Sequence, residues 1–353
     1  MSFGPDHYVP VLKVKRGEKT ALGLVAAASQ DHMTPLLEVV ERKKEKTLAA
    51  HIETAFKDLA KNLSGYSRCF LDARELAPDG PSASAAVFGR AKAERISFTP
   101  VTGIERSEDV AAALSYRTQG FALRLTRDEF ERGTLRSTVP EFLGDHGLAP
   151  EEVDLIVDFG AADDMVVEGI LRLTDAFLAD VPHHRRWLTL TVSGSAFPSS
   201  MGRVGRNSHV LVERSEWIAW RDGLFALRGD IERLPTYSDC AIQHPAGVED
   251  FDPRLMAVSA SIRYTESDDW LVIKGQSTRK TPAKQQFPQL STQLVYGSLR
   301  SRFAGGSHCR GCQSMWEAAN GVPRLGSAEV WRRLGTIHHL TCVTEELPAL
   351  FWP

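Results

Sequence analysis

Phe121-Ala122-Leu123-Arg124-Leu125-Thr126 is a short apolar run carrying a single cation, and seven runs of the same kind punctuate the first two-thirds of the chain. They are Tyr8–Lys15, Met33–Glu41, Arg68–Arg74, Ser97–Gly103, Val153–Phe159, Trp187–Ser193 and His209–Arg214, and almost every one ends in a charged or hydroxyl residue. Helix-like segments follow them, at Glu18–Ala28, Lys46–Leu63, Ser82–Glu94, Ser107–Arg117, Leu135–Leu143 and Met165–Leu178. Continuous apolar runs joined by crossover helices imply parallel strands buried on both faces, and eight such units close a barrel. The expected fold is therefore α/β, a TIM-like (β/α)8 barrel over residues 1–234.

After Trp220 the alternation is lost, and residues 235–353 are expected to form a C-terminal α+β elaboration packed on the barrel. Ala257–Thr265 and Trp270–Gly275 look like strands, Gln276–Ser291 is polar, and helical pieces lie near Met315–Asn320 and Ala328–Leu334. Gly194–Ser200 and Gly202–Ser208, rich in Gly, Ser and Arg, read as loop.

The 353 residues, 42% apolar and 25% charged, have the composition of an ordinary globular protein. A formal charge of −3 and a pI near 6.4 argue against a generally basic nucleic-acid binder, although a local positive pocket would escape that test. The N-terminus has no basic region followed by a long apolar stretch, and no run approaches the length of a membrane span, so a cytoplasmic protein with no membrane partner is expected. Cys69, Cys240, Cys309, Cys312 and Cys342 make an odd count, for which reduced thiols are the default.

Side chains alternate along a strand, so parity sorts the ionisable residues. Lys13 and Lys15 share a face with Val11, Glu38 with Leu36, Asp72 and Arg74 with Phe70, Arg124 with Ala122, and Asp158 with Ile156. If those faces point inward, the barrel mouth gathers Lys13, Lys15, Arg74 and Arg124 against Glu38, Asp72 and Asp158. Thr191, Ser193 and Glu213 stand on the last two strands. Arg and Lys suit a phosphate-bearing substrate, and the carboxylates would act as acid and base or seat a divalent cation. The competing expectation is an ion-pair network that plugs the barrel.

His308-Cys309-Arg310-Gly311-Cys312 contains a CxxC pair, with His338-His339 downstream. Without a second CxxC, and with adjacent histidines that do not easily share one ion, packing or surface placement is expected ahead of zinc at Cys309 and Cys312. No dinucleotide, NTPase, serine-hydrolase or zinc-peptidase motif occurs.

The chain resembles the beta-protein family, which is named after a T-even phage protein and found mostly in bacteria. The likeness rests on Tyr8-Val9-Pro10-Val11-Leu12-Lys13-Val14-Lys15-Arg16-Gly17-Glu18, Pro35-Leu36-Leu37-Glu38 and Glu213-Arg214-Ser215-Glu216-Trp217. In the tail it rests on Tyr237-Ser238-Asp239-Cys240-Ala241-Ile242, Ile262-Arg263-Tyr264, Trp270-Leu271-Val272-Ile273-Lys274-Gly275, and Trp331-Arg332 ahead of His338-His339. Where a Gly-Asp-Tyr pattern is usual this chain has Tyr237-Ser238-Asp239-Cys240, and Lys274 replaces the usual Arg. The resemblance implies a phage-defence or mobile-element setting. It also makes His338 or His339 a candidate proton carrier at the mouth, against a structural role in fixing the tail.

Two functional expectations follow. One is a hydrolase acting on a nucleotide or nucleic acid, with Lys13, Lys15, Arg74, Arg124, Ser193 and Glu213 binding substrate and Glu38, Asp72, Asp158, His338 and His339 as catalytic candidates. The other is a non-catalytic binding or sensor module that recognises a phage component or a partner protein.

Overall fold

The computed structural model describes residues 2–202, 204–247, 259–322 and 326–352. Its main sheet has eight strands, all parallel: β1 (Val11–Lys13), β2 (Leu36–Glu38), β3 (Cys69–Asp72), β4 (Phe98–Thr102), β5 (Phe121–Thr126), β6 (Val153–Ala161), β7 (Thr189–Ser195) and, last, Thr236–Ser238. Sequential neighbours pair throughout, and the ring is closed by a Tyr8–Tyr237 bridge. Val9 N–H donates to Tyr237 O at 3.1 Å and Val11 N–H to Asp239 O at 2.8 Å. The fold is a (β/α)8 barrel, as the alternation of apolar runs and helices implies.

One strand assignment needs correcting. His209–Arg214 was expected to be the eighth barrel strand, but β8 (Ser208–Glu213) leaves the barrel and pairs antiparallel with a later strand. The strand that does close the ring, β9 (Thr236–Ser238), lies just beyond the boundary expected at 234. β8 joins β10 (Ser259–Glu266) and β11 (Asp269–Ser277) in a three-stranded sheet, with β11 in the middle. Its alternating exposed and half-buried pattern suits an antiparallel edge strand with one wet face, unlike the uniformly buried barrel strands.

Helices differ from expectation where local chemistry intervenes. The predicted helix over Lys46–Leu63 begins at Leu48 because the Thr47 hydroxyl caps it, accepting from Ala50 N–H at 3.2 Å. It then breaks after Phe56, where Asp58 takes a left-handed φ of 61°. The polar segment Gln276–Ser291 is largely helical, within Ala283–Val295. The short piece at Ala328–Leu334 is the start of a 24-residue helix, Ala328–Phe351, capped by Ser327. That helix lies closely against β10: a Cβ on Gly335 would stand 2.4 Å from the Arg263 carbonyl oxygen, so no larger residue fits.

The barrel interior is layered. At the N-terminal end of the strands, Arg68 donates two bonds to Asp154, at 2.6 and 2.8 Å, and one to Thr99 Oγ1 at 3.1 Å, with Thr189 donating to Asp154 at 2.6 Å. The middle is apolar: Val9, Val11, Leu36, Phe70, Val101, Ala122 and Ile156 form one cluster, joined by Cys240. The C-terminal ends of the strands carry the charges.

Candidate functional site

Strand parity places the mouth residues as expected. Lys13, Glu38, Asp72, Arg124, Asp158 and Ser193 all point inward, two residues beyond the apolar layer, and all are buried. Arg124 on β5 is the hub. Its Nη1 donates to Glu38 Oε1 at 2.7 Å and Asp72 Oδ2 at 2.9 Å, while Nη2 and Nε reach Asp158 Oδ2 at 2.6 and 3.0 Å. Lys13 sits between Glu38 and Glu75, at 2.5 Å from each. Arg106, from the loop after β4, holds Asp72 Oδ1 at 2.7 Å. Arg74 leans over the top, 3.3 Å from Glu38 and 3.7 Å from Asp158.

Four cations thus face four carboxylates; both oxygens of Glu38 and of Asp72 face a guanidinium or ammonium group, while Asp158 Oδ1 and Glu75 Oε2 accept from the backbone N–H groups of Gly160 and Glu41. Burial opposes ionisation of Glu38, but Arg124, Lys13 and Arg74 outweigh it and hold the carboxyl far below its ordinary range. Asp72 is likewise lowered, burial being overcome by Arg106, Arg124 and Arg74. A general acid needs a raised pKa, and these groups are driven the other way. Glu38, Asp72 and Arg124 are 1%, 0% and 2% exposed, which leaves them no face for a substrate. Ser193 is committed too, accepting from Ser238 Oγ at 3.0 Å.

Four expected site residues lie elsewhere, Lys15 on a neighbouring cleft and three in the tail or the small sheet. Glu213 ends β8, exposed on the small sheet, and accepts from Ser215 Oγ at 2.6 Å; it left the mouth when β8 left the barrel. His338 and His339 are buried behind the barrel wall, not at its mouth. Parity explains this: on β9, Thr236 and Ser238 face inward, so Tyr237 and then Asp239 face outward, toward the tail. There Asp239 accepts from Tyr8 Oη, from Tyr237 Oη at 2.9 Å, from Ala241 N–H at 2.8 Å and from His339 Nε2 at 3.0 Å. His339 Nδ1 meets Thr265 Oγ1 at 2.8 Å, so the imidazole ties β9 to β10. Burial, only partly offset by Asp239, lowers the His339 pKa and keeps the ring neutral.

His338, one residue earlier, turns away from Asp239 toward Cys309, Cys312 and Cys342. The expected isolated CxxC is therefore part of a larger group. Cys342, one helical turn after His338, extends it.

A cleft of about 500 Å³ opens beside the mouth, between the helix Arg16–Leu22, the loop after β2 and the helix Leu48–Phe56. Lys15, Arg16, Lys19, Lys43, Lys46 and Lys57 line it against only Glu41 and Asp58. Lys19 is structural, donating to the carbonyls of Thr54, Ala55 and Lys57 at 3.2, 2.5 and 2.9 Å and so closing the end of the helix Leu48–Phe56. Arg16 pairs with Glu329. Lys15, expected at the mouth, stands exposed on this cleft instead.

No helix among the described residues is long and apolar enough to cross a membrane. Among curated proteins, none matches the chain. A crystal structure of a predicted mandelate racemase from Rhodobacter sphaeroides is similar over 76% of this chain and 57% of that one, at 15% identity and a TM-score of 0.31. The chain thus spans a little over half the length of that protein. The sequence motifs that open the barrel, return along β9 and continue into the last long helix all fall within residues 8–345, which match a family model over that whole span, and the chain belongs to the Beta protein family.

Proposed function

We propose that this protein is a non-catalytic binding module, a barrel scaffold whose basic cleft takes a phosphate-bearing ligand, either a nucleotide or a nucleic acid strand. The observation that carries the reading is the self-neutralising mouth: its carboxylates are consumed by Lys13, Arg74, Arg106 and Arg124, and its central members are buried. Lys15, Lys19, Lys46 and Lys57 place positive charge on the cleft against Glu41 and Asp58, Arg16 being paired with Glu329. In a chain of net charge −3 such a local excess favours an anion and steers its approach. In a phage-defence or mobile-element setting the ligand would be a nucleic acid or nucleotide of the invader.

Hydrolysis is a second reading, tied to Arg74. Its contacts are the longest in the network and its side chain is 28% exposed, so an incoming phosphate has one guanidinium to capture.

Fluorescence anisotropy with labelled oligonucleotides, together with mass spectrometry of nucleotides incubated with the protein, separates the two. Binding should weaken steeply with salt, and the triple variant Lys15→Glu, Lys46→Glu, Lys57→Glu should abolish it while the nucleotides stay intact. Binding that survives charge reversal overturns the cleft assignment. Turnover lost on Asp72→Asn replaces the binding reading with the hydrolase.

A further inference from the structure

Three cysteines and a histidine from distant parts of the tail converge under the small sheet. Cys309 caps the helix Arg310–Ala319, Cys312 lies in its first turn, and His338 and Cys342 stand one turn apart on Ala328–Phe351. The Sγ atoms of Cys309 and Cys312 lie 3.8 and 3.2 Å from His338 Nδ1, the three ligand atoms all within 4.8 Å of one another, while Cys342 Sγ lies 3.4 Å from Nε2 and 3.7 Å from Nδ1 of the same ring and groups with His338 and His308. A tetrahedral ion with metal–sulfur bonds of about 2.3 Å and a metal–nitrogen bond of about 2.0 Å has sulfur–nitrogen edges of about 3.5 Å. The Cys309 and Cys312 separations bracket that edge.

The surroundings fit as well. His338 Nε2–H donates to the Thr265 carbonyl at 2.8 Å, and the ring stacks on Tyr264 with centroids 3.8 Å apart. A neutral imidazole so held turns its Nδ1 toward Cys309 and Cys312, the second-sphere arrangement that metal-bound histidines use. Cys312 N–H donates to Cys309 Sγ at 3.3 Å, and the Tyr264 hydroxyl lies 3.3 Å from Cys312 Sγ, so donors are in place for two thiolates.

We propose that Cys309, Cys312 and His338 hold a structural zinc ion, with Cys342 turning in from the next helical turn as the fourth ligand. Three soft thiolates and one imidazole are a zinc donor set, on spacings of C-x2-C and H-x3-C. On loading, the three cysteines enter as thiolates and His338 as the neutral ring, and their protons pass to solvent. Four protein ligands complete the shell and leave no position for a reacting water. The ion would clamp the two helices to β10 and, through the next residue, hold His339 against Asp239. His308 Nε2, 3.6 Å from Cys342 Sγ, is the other donor nearby, and its Nδ1 faces Glu345.

The test uses the full chain, purified reduced and without chelator. Elemental analysis should find about one zinc per chain. Exchange into cobalt(II) should give the visible spectrum of a tetrahedral site with thiolate-to-cobalt charge transfer. Cys342→Ser should weaken that charge transfer, while His308→Ala leaves it unchanged. Since the cysteine variants could unfold, the wild type is also melted with a strong chelator and after zinc is returned; the melting temperature should fall and then recover. Reduced wild type that takes up no zinc, or an octahedral cobalt spectrum, overturns the proposal. So does a Cys309–Cys312 disulfide in the freshly isolated protein. Loss of the metal on His308→Ala with retention on Cys342→Ser overturns the ligand assignment.

Discussion

Replacing Arg124 by methionine removes the hub of the mouth and leaves Glu38, Asp72 and Asp158 stranded in a buried space of similar volume. Breaking a buried ion pair from one side costs about 3–5 kcal/mol, because the remaining charge keeps its desolvation penalty and loses its partner. Lys13, Arg74 and Arg106 still face these carboxylates, which places the expected loss near the lower figure. With an unfolding entropy of about 2.1 cal/mol/K per residue, 353 residues give about 0.74 kcal/mol/K, so a loss of about 3 kcal/mol lowers a cooperative melting temperature by about 4 °C.

The pH dependence of that deficit is diagnostic. In the wild type, Glu38 and Asp72 have depressed folded-state pKa values, so their stabilisation is present above the unfolded value and is lost only as pH falls through the folded one. Without Arg124, burial is less opposed and the carboxyl pKa values rise. The variant's deficit should then be largest near about pH 8 and shrink toward about pH 5, where the stranded carboxyls protonate. Thermal melts followed by circular dichroism across that range measure it, and adding Asp158→Asn to Arg124→Met should restore part of the loss. A melting temperature within about 1 °C of wild type, or a deficit equal at both ends of the range, would refute the account of a buried, mutually dependent network.

Arg68→Met at the opposite end of the barrel should cost about 3–5 kcal/mol for the same reason, since Asp154 would lose both guanidinium bonds, while oligonucleotide binding at the distant cleft stays unchanged in anisotropy. Glu216 gives the opposite pH sign: burial, reinforced by Asp239, pushes its carboxyl up to about 8. The unfolded residue ionises near its ordinary value while the folded one stays protonated, so stability drains away as pH rises toward 8. Glu216→Gln, which keeps an acceptor for Ala196 N–H, should flatten that slope in denaturant melts and stabilise the protein at alkaline pH.

The barrel was legible because its strands are buried on both faces and carry no competing pattern. Parity alone aligned Lys13, Glu38, Asp72, Arg124 and Asp158, since a two-residue repeat fixes which side chains share the interior. What parity leaves open is whether opposite charges meet a ligand or each other. That depends on Arg106 and Glu75, which come from loops whose reach no repeat encodes. β9 escaped notice because three residues, Thr236–Ser238, give no periodicity, while the longer β8 carries a convincing apolar pattern and uses it in another sheet. The thiol cluster was half visible: CxxC is a local signal, but His338 and Cys342 join it only because a continuous helix puts them on one face.

The route of the chain between β7 and β9 has a consequence for any attempt to dissect this protein. β8 is threaded out to the antiparallel sheet before the polypeptide returns to complete the cylinder, so each body borrows a piece from within the other's stretch of sequence. Cutting after residue 247 would orphan β8, strip Asp239 of its imidazole, and expose the flank on which Tyr8 and Tyr237 now lean. No single scissor point yields two self-sufficient halves. Trimmed versions of the chain should therefore be judged by solubility before any inference about activity is drawn from them.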